Sequence, residues 1–457
     1  MQVARFTTLV LAAGLAAGCG DGTPASFPTT DCAAVTGARC VEIRGGDSAA
    51  LQTQVNSIDA PTTIVLGAGK FKLTNQLTIR TNGVHLIGQG IDTTTLDFGG
   101  ATAQGNGVDV VGNDFLIQDL TVLDAPKDGI RVEASTGVTY RRIRATWSKP
   151  SATTNGAYGI YPVKSQNVLV ENSRAENASD AGLYVGQCQH VIVRNNVVTG
   201  NVAGLEIENT QYADVYGNTA EDNTGGIVVF DLPGNPIVGR DVRLHDNMIR
   251  NNNHVNFGTP GTTVAGIPVG TGTFAMASRR VEITGNTYQN NNTTDISLIS
   301  GLVVEMDMSK WTLPTAGLTG KFNDLGLMPG DAQGLTIMNF RGENILVSGN
   351  HHSGSGTSPD LHDPMHLGLL LGFGFGTSPV ANVLYDAIME DFDSTDPALN
   401  TNKNHMCIGG NTGGTFATLD LGNQATAMKP FFRPAAPFTP YECLILNGGA
   451  VAPVVLP

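Results

Sequence analysis

AGLYVGQCQHVIVRNNVVTGNVAGLEIENTQYADVYGNTAEDNTGGIVVF (181–230) repeats itself. Gly182, Gly204 and Gly226 each open an apolar run (GLYVG, GLEIE, GIVVF) and stand 22 residues apart. Outward from this stretch, Gly159, Gly129 and Gly107 extend the series at gaps of 23, 30 and 22 residues. A fixed period near 22 with one strand-like run per period is the signature of a solenoid. Aligning the runs on their glycines puts Ile130, Ile160, Leu183, Leu205 and Ile227 in one aliphatic, inward column, with Val132, Pro162, Val185, Ile207 and Val229 in a second. Alternation along a strand then turns Arg131, Tyr161, Tyr184, Glu206 and Val228 outward.

A second strand per period reads NVLVENS, HVIVRNN, ADVYGN, DVRLHDN, RVEITGN and NILVSGN, and CIGGN (407–411) repeats its end. These runs close on Ser173, Asn196, Asn218, Asn247, Asn286, Asn350 and Asn411. Asparagine tolerates left-handed turns, and stacked asparagines hydrogen-bond as a ladder, so the series predicts an internal ladder at a turn.

Composition agrees. Of 457 residues, 14% are charged and 57 are glycine, a mix suited to strands and tight turns rather than helices. The formal net charge of -14 makes the chain a poor candidate for binding nucleic acid, which needs clustered Lys and Arg. It also disfavours a polyanionic polysaccharide unless a basic patch or a bound cation offsets it.

Residues 1–18 read as a signal peptide, with Arg5 before the apolar stretch from Phe6 to Ala17, too short to span a bilayer. Its end, Leu15-Ala16-Ala17-Gly18-Cys19, resembles a bacterial lipobox with Cys19 as the lipidated residue, although Ala16 replaces the usual leucine. The expected location is the bacterial cell envelope, lipid-anchored in the periplasm or outer membrane, or else secreted. The lipid is the only membrane contact expected, and a monomer is expected. Residues 19–46 form a tether and small loop, in which Cys32 and Cys40 can pair, and Cys407 and Cys443 can pin the C-terminal end. Cys188 lies within a repeat and reads as a buried thiol. Asp47 can cap a short helix from Ser48 to Ile58 that plugs the open end of the solenoid. The solenoid spans 47–411, with insertions at 146–158, 231–240, 253–272 and 302–335. Residues 412–457 form an irregular C-terminal cap.

The stretches NGAYGIYPVKSQNVLVENS (155–173), SDAGLYVGQCQHVIVRNN (179–196) and NVAGLEIENTQYADVYGNTAEDNTGGIVVFDLPG (201–234) resemble the right-handed parallel β-helix repeat family. Within it they are similar to a branch of exported bacterial proteins with a tandem pair of repeats and no settled activity. The resemblance covers most of residues 60–300 and implies an all-β, pectin-lyase-like, single-stranded solenoid.

Two places could carry chemistry. The outward column Arg131, Tyr161, Tyr184 and Glu206 is the catalytic candidate, with Lys127, Asp128, Tyr158, Asp180 and Glu208 beside it for binding. β-Helix polysaccharide lyases and epimerases neutralise a uronate carboxylate, abstract a proton and protonate the leaving oxygen. Arg131 suits the first role and Tyr161 or Tyr184 the others, while Glu206 and Asp180 could hold Ca²⁺. YGIYPV (158–163) resembles the Tyr-Gly-Phe-Asp-Pro-His motif of mannuronan C5-epimerases, but Tyr161 and Val163 stand where its Asp and His belong. The polygalacturonase motifs are absent too.

The second place is HHSGSGTSPDLHDPMH (351–366), where His351, His352, His362 and His366 could bind Cu or Zn. That pattern, with a loose analogy to a periplasmic β-helix protein of copper delivery, suggests a metal accessory role. The leading expectation is a protein that binds or modifies a polysaccharide. The alternatives are a non-catalytic partner of an envelope protein or a metal accessory protein, and a lyase or epimerase acting on uronates.

Overall fold

A computed structural model describes residues 31–35, 39–314, 332–333, 336–364, 366–391, 401–419, 431–433 and 440–457. The signal peptide, Cys19 and most of the tether lie outside the described residues, as do Met365 and parts of the 302–335 insertion and of the C-terminal cap. Almost all strands are parallel and belong to two long sheets, one of 20 strands and one of 12. The fold is an all-β, right-handed solenoid.

One coil shows how the sequence builds it. Ala181–Gly186 lies in the 12-stranded sheet, here called the front sheet. The chain turns into Gln189–Arg194, turns again into Val197–Thr199, and re-enters the front sheet one coil on at Ala203–Glu208. The 20-stranded sheet therefore supplies two sides of a three-sided coil. Register follows the glycine alignment: Ile160 pairs with Ile130 and with Leu183, Leu183 with Leu205, and Leu205 with Ile227. All five are essentially inaccessible to solvent, and burial of such aliphatic side chains is worth roughly 1.5–3 kcal/mol each.

The corners hold that register. Asn196 donates its backbone N–H and its Nδ2 to Asn218 Oδ1, both at 3.0 Å, and Nδ2 also donates to Val170 O. The same bonds recur from Asn218 to Asn247, Asn286, Asn350 and Asn411. The left-handed turn residue is the one before each ladder residue: Asn172, Asn195, Gly217, Asp246, Gly285, Gly349 and Gly410 all have positive φ. Turn formation and stacking, both expected of one asparagine, are thus divided between two neighbours.

A second ladder, not expected from the sequence, occupies the corner leading back to the front sheet, through Asn201, Asn223, Asn252 and Asn291. The third corner stacks Ser135, Ser165, Cys188 and Thr210, each side chain accepting the amide of the coil before. Cys188 is a buried thiol holding a serine's place there.

Asp47 caps the helix Ser48–Asn56 by accepting from Ala50 N at 3.0 Å, and Leu51 and Val55 enter the core at the solenoid's open end. Disulfides join Cys32 to Cys40 and Cys407 to Cys443. Beyond Asn350, a second helix, Leu367–Phe375, interrupts the coils. Phe416–Thr418 then takes an antiparallel neighbour, Phe431–Arg433, which ends the parallel stack. No helix among the described residues is long and apolar enough to cross a membrane.

The ladder account predicts that Asn218→Ala lowers the thermal midpoint by several degrees. It strands backbone and side-chain groups of two adjacent coils, at about 1–3 kcal/mol for each unsatisfied buried group. The exposed control Asn75→Ala should shift it by less than 1 °C. Thermal melts followed by circular dichroism check this, and equal shifts would contradict it.

Candidate functional site

Arg131, Tyr161, Tyr184, Glu206 and Val228 are adjacent in register on the outer side of the front sheet, continued by Phe274. The column is outward but not open. Tyr184 is 5% exposed, and Glu206 and Val228 are 4% exposed. Chain from two insertions covers them: the 253–272 segment and the start of the 302–335 segment. Trp311, Val264, Ile267 and Phe340 pack into one apolar cluster with Tyr184, Val228, Phe230, Phe274 and Met276. The 146–158 insertion borders the column through Tyr158, with contacts of its own at Asp124, Ala125 and Asn177.

The column divides into three zones. At one end Arg131 is held by Asp109 at 3.2 Å and by Glu133, with its guanidinium 6.0 Å from the Tyr161 ring centroid. Lys164 also reaches Glu133, at 3.4 Å, and Lys127 is exposed nearby. In the middle Tyr158, Tyr161 and Tyr184 form a triangle with centroids 4.6–4.9 Å apart. Such tilted and edge-on pairs are favourable beyond their buried area.

At the far end Asp180, Glu206 and Glu208 enter a pocket of about 340 Å³ with Tyr158, walled by Val228, Phe230, Phe274 and Met276 and roofed by residues 261–264, Ile267 and Val304. Tyr184 Oη donates to Glu208 Oε2 at 2.7 Å, and Asn235 Nδ2 donates to Glu208 Oε1 at 2.6 Å. Among the described residues the pocket lining carries no basic side chain.

Uncompensated burial decides the protonation of these groups. Burial pushes the Glu206 carboxyl well above the usual range, and the charges of Asp180 and Glu208 add to it. Asp180 is pushed up to about 7 by burial and then by the Glu208 charge. Glu208 is also raised by burial, against the opposing hydrogen bonds from Tyr184 and Asn235. Asp128, whose two oxygens are buried without a hydrogen-bond partner among the described residues, rises to about 6. Burial also raises the Tyr158 and Tyr184 phenols far above their usual range, and Tyr161 to about 12. The phenols are therefore donors near neutral pH, not bases. Asp180 can hold or release a proton there.

The histidine-rich segment does not form a cluster. His352 is turned into the coil interior, stacked on Tyr288, with its Nδ1 2.8 Å from Asp295 Oδ2. His351 is exposed on the neighbouring strand position. His362 lies in a turn lining a wider groove of about 1150 Å³, and His366 sits at the start of the Leu367–Phe375 helix. Among the described residues no three His, Cys, Asp or Glu side chains are grouped to hold a metal ion. This applies to the Cu or Zn expected near 351–366 and to the Ca²⁺ expected on the front sheet.

The groove runs between residues 255–269 and 358–364 and shares Gly261, Thr262, Thr263, Ile267 and Val304 with the carboxyl pocket. The two places singled out in the sequence thus meet across one insertion. Asn235, Gln187 and the apolar wall Phe230, Phe274 and Met276 were not singled out. The insertions at 231–240 and 253–272 break the glycine period beside Phe230, Asn235, Phe274 and Met276.

The family model for the right handed beta helix region matches residues 82–242 and 129–309. The chain belongs to the right-handed parallel β-helix proteins. Among solved structures, the A-module of the Azotobacter vinelandii mannuronan C-5 epimerase AlgE4 is 14% identical, with a TM-score of 0.46, covering 87% of this chain and 94% of its own. The catalytic unit of a GH87 α-1,3-glucanase from Streptomyces thermodiastaticus is 12% identical, with a TM-score of 0.42, over 79% of this chain and 52% of its own. At these values the likeness says nothing about activity. No curated protein matches the chain in sequence.

Each raised carboxyl contributes a stability that falls as pH rises. An acid whose folded pKa exceeds its unfolded value, near 4, binds more protons when folded between the two values. The contribution of such a group to stability is thus greatest below about pH 4 and declines until pH passes the folded value, about 6 for Asp128. Asp128→Asn is expected to raise the thermal midpoint at pH 8 by roughly 2 °C or more and to leave it unchanged at pH 4. Scanning calorimetry at the two pH values checks this, and an equal shift at both would contradict it.

Proposed function

We propose that this protein is an exported, lipid-anchored β-helix protein that binds and modifies a polysaccharide, and that the carboxyl pocket of the front sheet is its site. The observation that carries the reading is the convergence of Asp180, Glu206, Glu208 and Tyr158 in one roofed pocket beside a tyrosine triangle. Aromatic faces suit the apolar faces of sugar rings, and carboxyls and phenols suit their hydroxyls. The lipobox-like end at Cys19 supports the anchor, and the two disulfides support an oxidising compartment.

The charge pattern favours a neutral glycan over a uronate. A uronate carboxylate placed among Asp180, Glu206 and Glu208 would meet three acids. Arg131, the cation assigned to it, is already engaged by Asp109 and Glu133. The tyrosines are held protonated, which removes the base that a lyase or epimerase would draw from them. A carboxyl titrating at about 7, Asp180, instead fits a general acid for glycosidic oxygen, with a neighbouring carboxylate as base or nucleophile.

The test is incubation with neutral polymers (glucans, xylans, mannans) and with alginate and polygalacturonate, read by affinity electrophoresis and by oligosaccharide release. Retardation and release with a neutral polymer, both lost in Asp180→Asn and Glu206→Gln variants with wild-type circular dichroism, is the expected result. Unsaturated, ultraviolet-absorbing products from the uronate polymers alone would overturn the neutral-glycan reading.

A further inference from the structure

Three side chains outside the pocket form a second arrangement at the junction of two insertions. Ser151 Oγ lies 2.5 Å from His254 Nε2. The other ring nitrogen, Nδ1, lies 3.7 Å from Asp222 Oδ1. The hydroxyl comes from the 146–158 insertion, the imidazole from the 253–272 insertion, and the carboxylate from the turn after Thr219–Glu221. The serine and the histidine are 103 residues apart in the chain. We propose that Ser151, His254 and Asp222 constitute an acyl-transfer centre that hydrolyses carboxylic esters, an activity separate from the glycan pocket and not dependent on that reading.

Several features set these groups up as a nucleophile, its base and the group that orients the base. Ser151 has φ of +51°, a left-handed conformation that a serine adopts only under constraint. Strain of this kind gathers where a side chain must be held in one direction. The constraint comes from a pinned loop. Asn155 Nδ2 donates to Lys149 O and to Asn177 O, both at 2.7 Å, and Trp147 Nε1 donates to Ala125 O at 2.7 Å. His254 is fixed from its own side, its amide donating to Asn223 O at 3.0 Å and its ring meeting Phe257 edge-on at 5.7 Å. Two anchored loops therefore bring the pair together without a flexible tether.

The imidazole side chain is 27% exposed, so a substrate can approach the pair from solvent.

The reaction is balanced by these groups and water. Ser151 Oγ attacks the ester carbonyl while His254 Nε2 takes its proton. The tetrahedral intermediate collapses with loss of the alcohol, which receives that proton from His254. Water, deprotonated by the same nitrogen, then releases the carboxylic acid and restores the hydroxyl. Asp222 is a positioning residue whose charge, on the Nδ1 side of the ring, favours the proton on that nitrogen. Its carboxylate is 67% exposed and beyond hydrogen-bond distance, so its support of the imidazolium is weak. That suits oxygen esters, whose leaving groups are good, rather than amides.

The test uses the folded protein with a fluorophosphonate probe and with p-nitrophenyl acetate. One phosphonyl group per chain on Ser151, located by peptide mass spectrometry, is expected. Acetate hydrolysis should fall at least about 100-fold in Ser151→Ala and His254→Ala. Asp222→Ala should slow labelling, and Asp222→Glu should restore it, which a merely structural carboxylate would not do. Neutral-glycan binding should be unaffected in Ser151→Ala. Wild-type protein that is unlabelled at Ser151, or ester hydrolysis that survives Ser151→Ala, would overturn the proposal.

Discussion

A solenoid coil has no second layer to bury its ends, so every coil depends on the one above and below it for backbone partners and for core. A slip of one residue would turn the aliphatic column outward and the tyrosines inward. The hydrogen-bonded ladders at the corners are what forbid the slip. The ladder asparagines from Asn196 to Asn350 are buried, lose their water, and bond mainly to groups on neighbouring coils. Buried amides are stabilising only when fully satisfied. A register error would therefore strand several of them at once. Everything functional in the molecule is a consequence of that alignment. The tyrosine triangle and the carboxyl group exist because positions 158 and 161, 184, and 206 and 208 come from three successive coils and are brought side by side.

The insertions then change what the aligned face is. Uncovered, the column would be a solvated ladder of aromatic and charged side chains, with ordinary titration. Covered by residues 261–267 and Val304, the same carboxyls lose water without gaining a cation, and their protons are held to higher pH. The coils supply positions, and the insertions supply desolvation. The 146–158 and 253–272 segments also meet each other, through Ser151 and His254. Loops carried by a rigid scaffold do this readily, because each can be anchored independently of the other.

The part of this that was legible in the sequence is the part that is periodic. The inward columns, the outward column as far as Val228, the first asparagine ladder and the Asp47 cap all follow from spacing. Asn201, Asn223, Asn252 and Asn291 are as regular as the first ladder. They lie between two short strands, where no apolar run draws attention to the spacing. Arg131 was placed correctly in register, and its two acidic neighbours share that periodic face, Asp109 two residues after Gly107 and Glu133 two residues along the same strand, so its neutralisation follows from the same alignment. The cover over Glu206 was illegible for a different reason. Insertions have no period, and where they fold back is set by packing of Trp311, Val264 and Phe340 rather than by any repeat. The histidines of 351–366 are close in sequence, yet strand alternation sends His351 outward and His352 into the core.

The proposed function requires that the desolvated carboxyl pocket of the front sheet, and not the open groove or the basic end of the column, receive a sugar. A crystal structure with a bound neutral oligosaccharide tests it most directly. A sugar ring is expected against Tyr158 with hydroxyls on Asp180 and Glu206, beneath residues 261–267. A ring seated at Arg131 and Lys127, or along residues 358–364, with the carboxyl pocket empty of sugar, would contradict it.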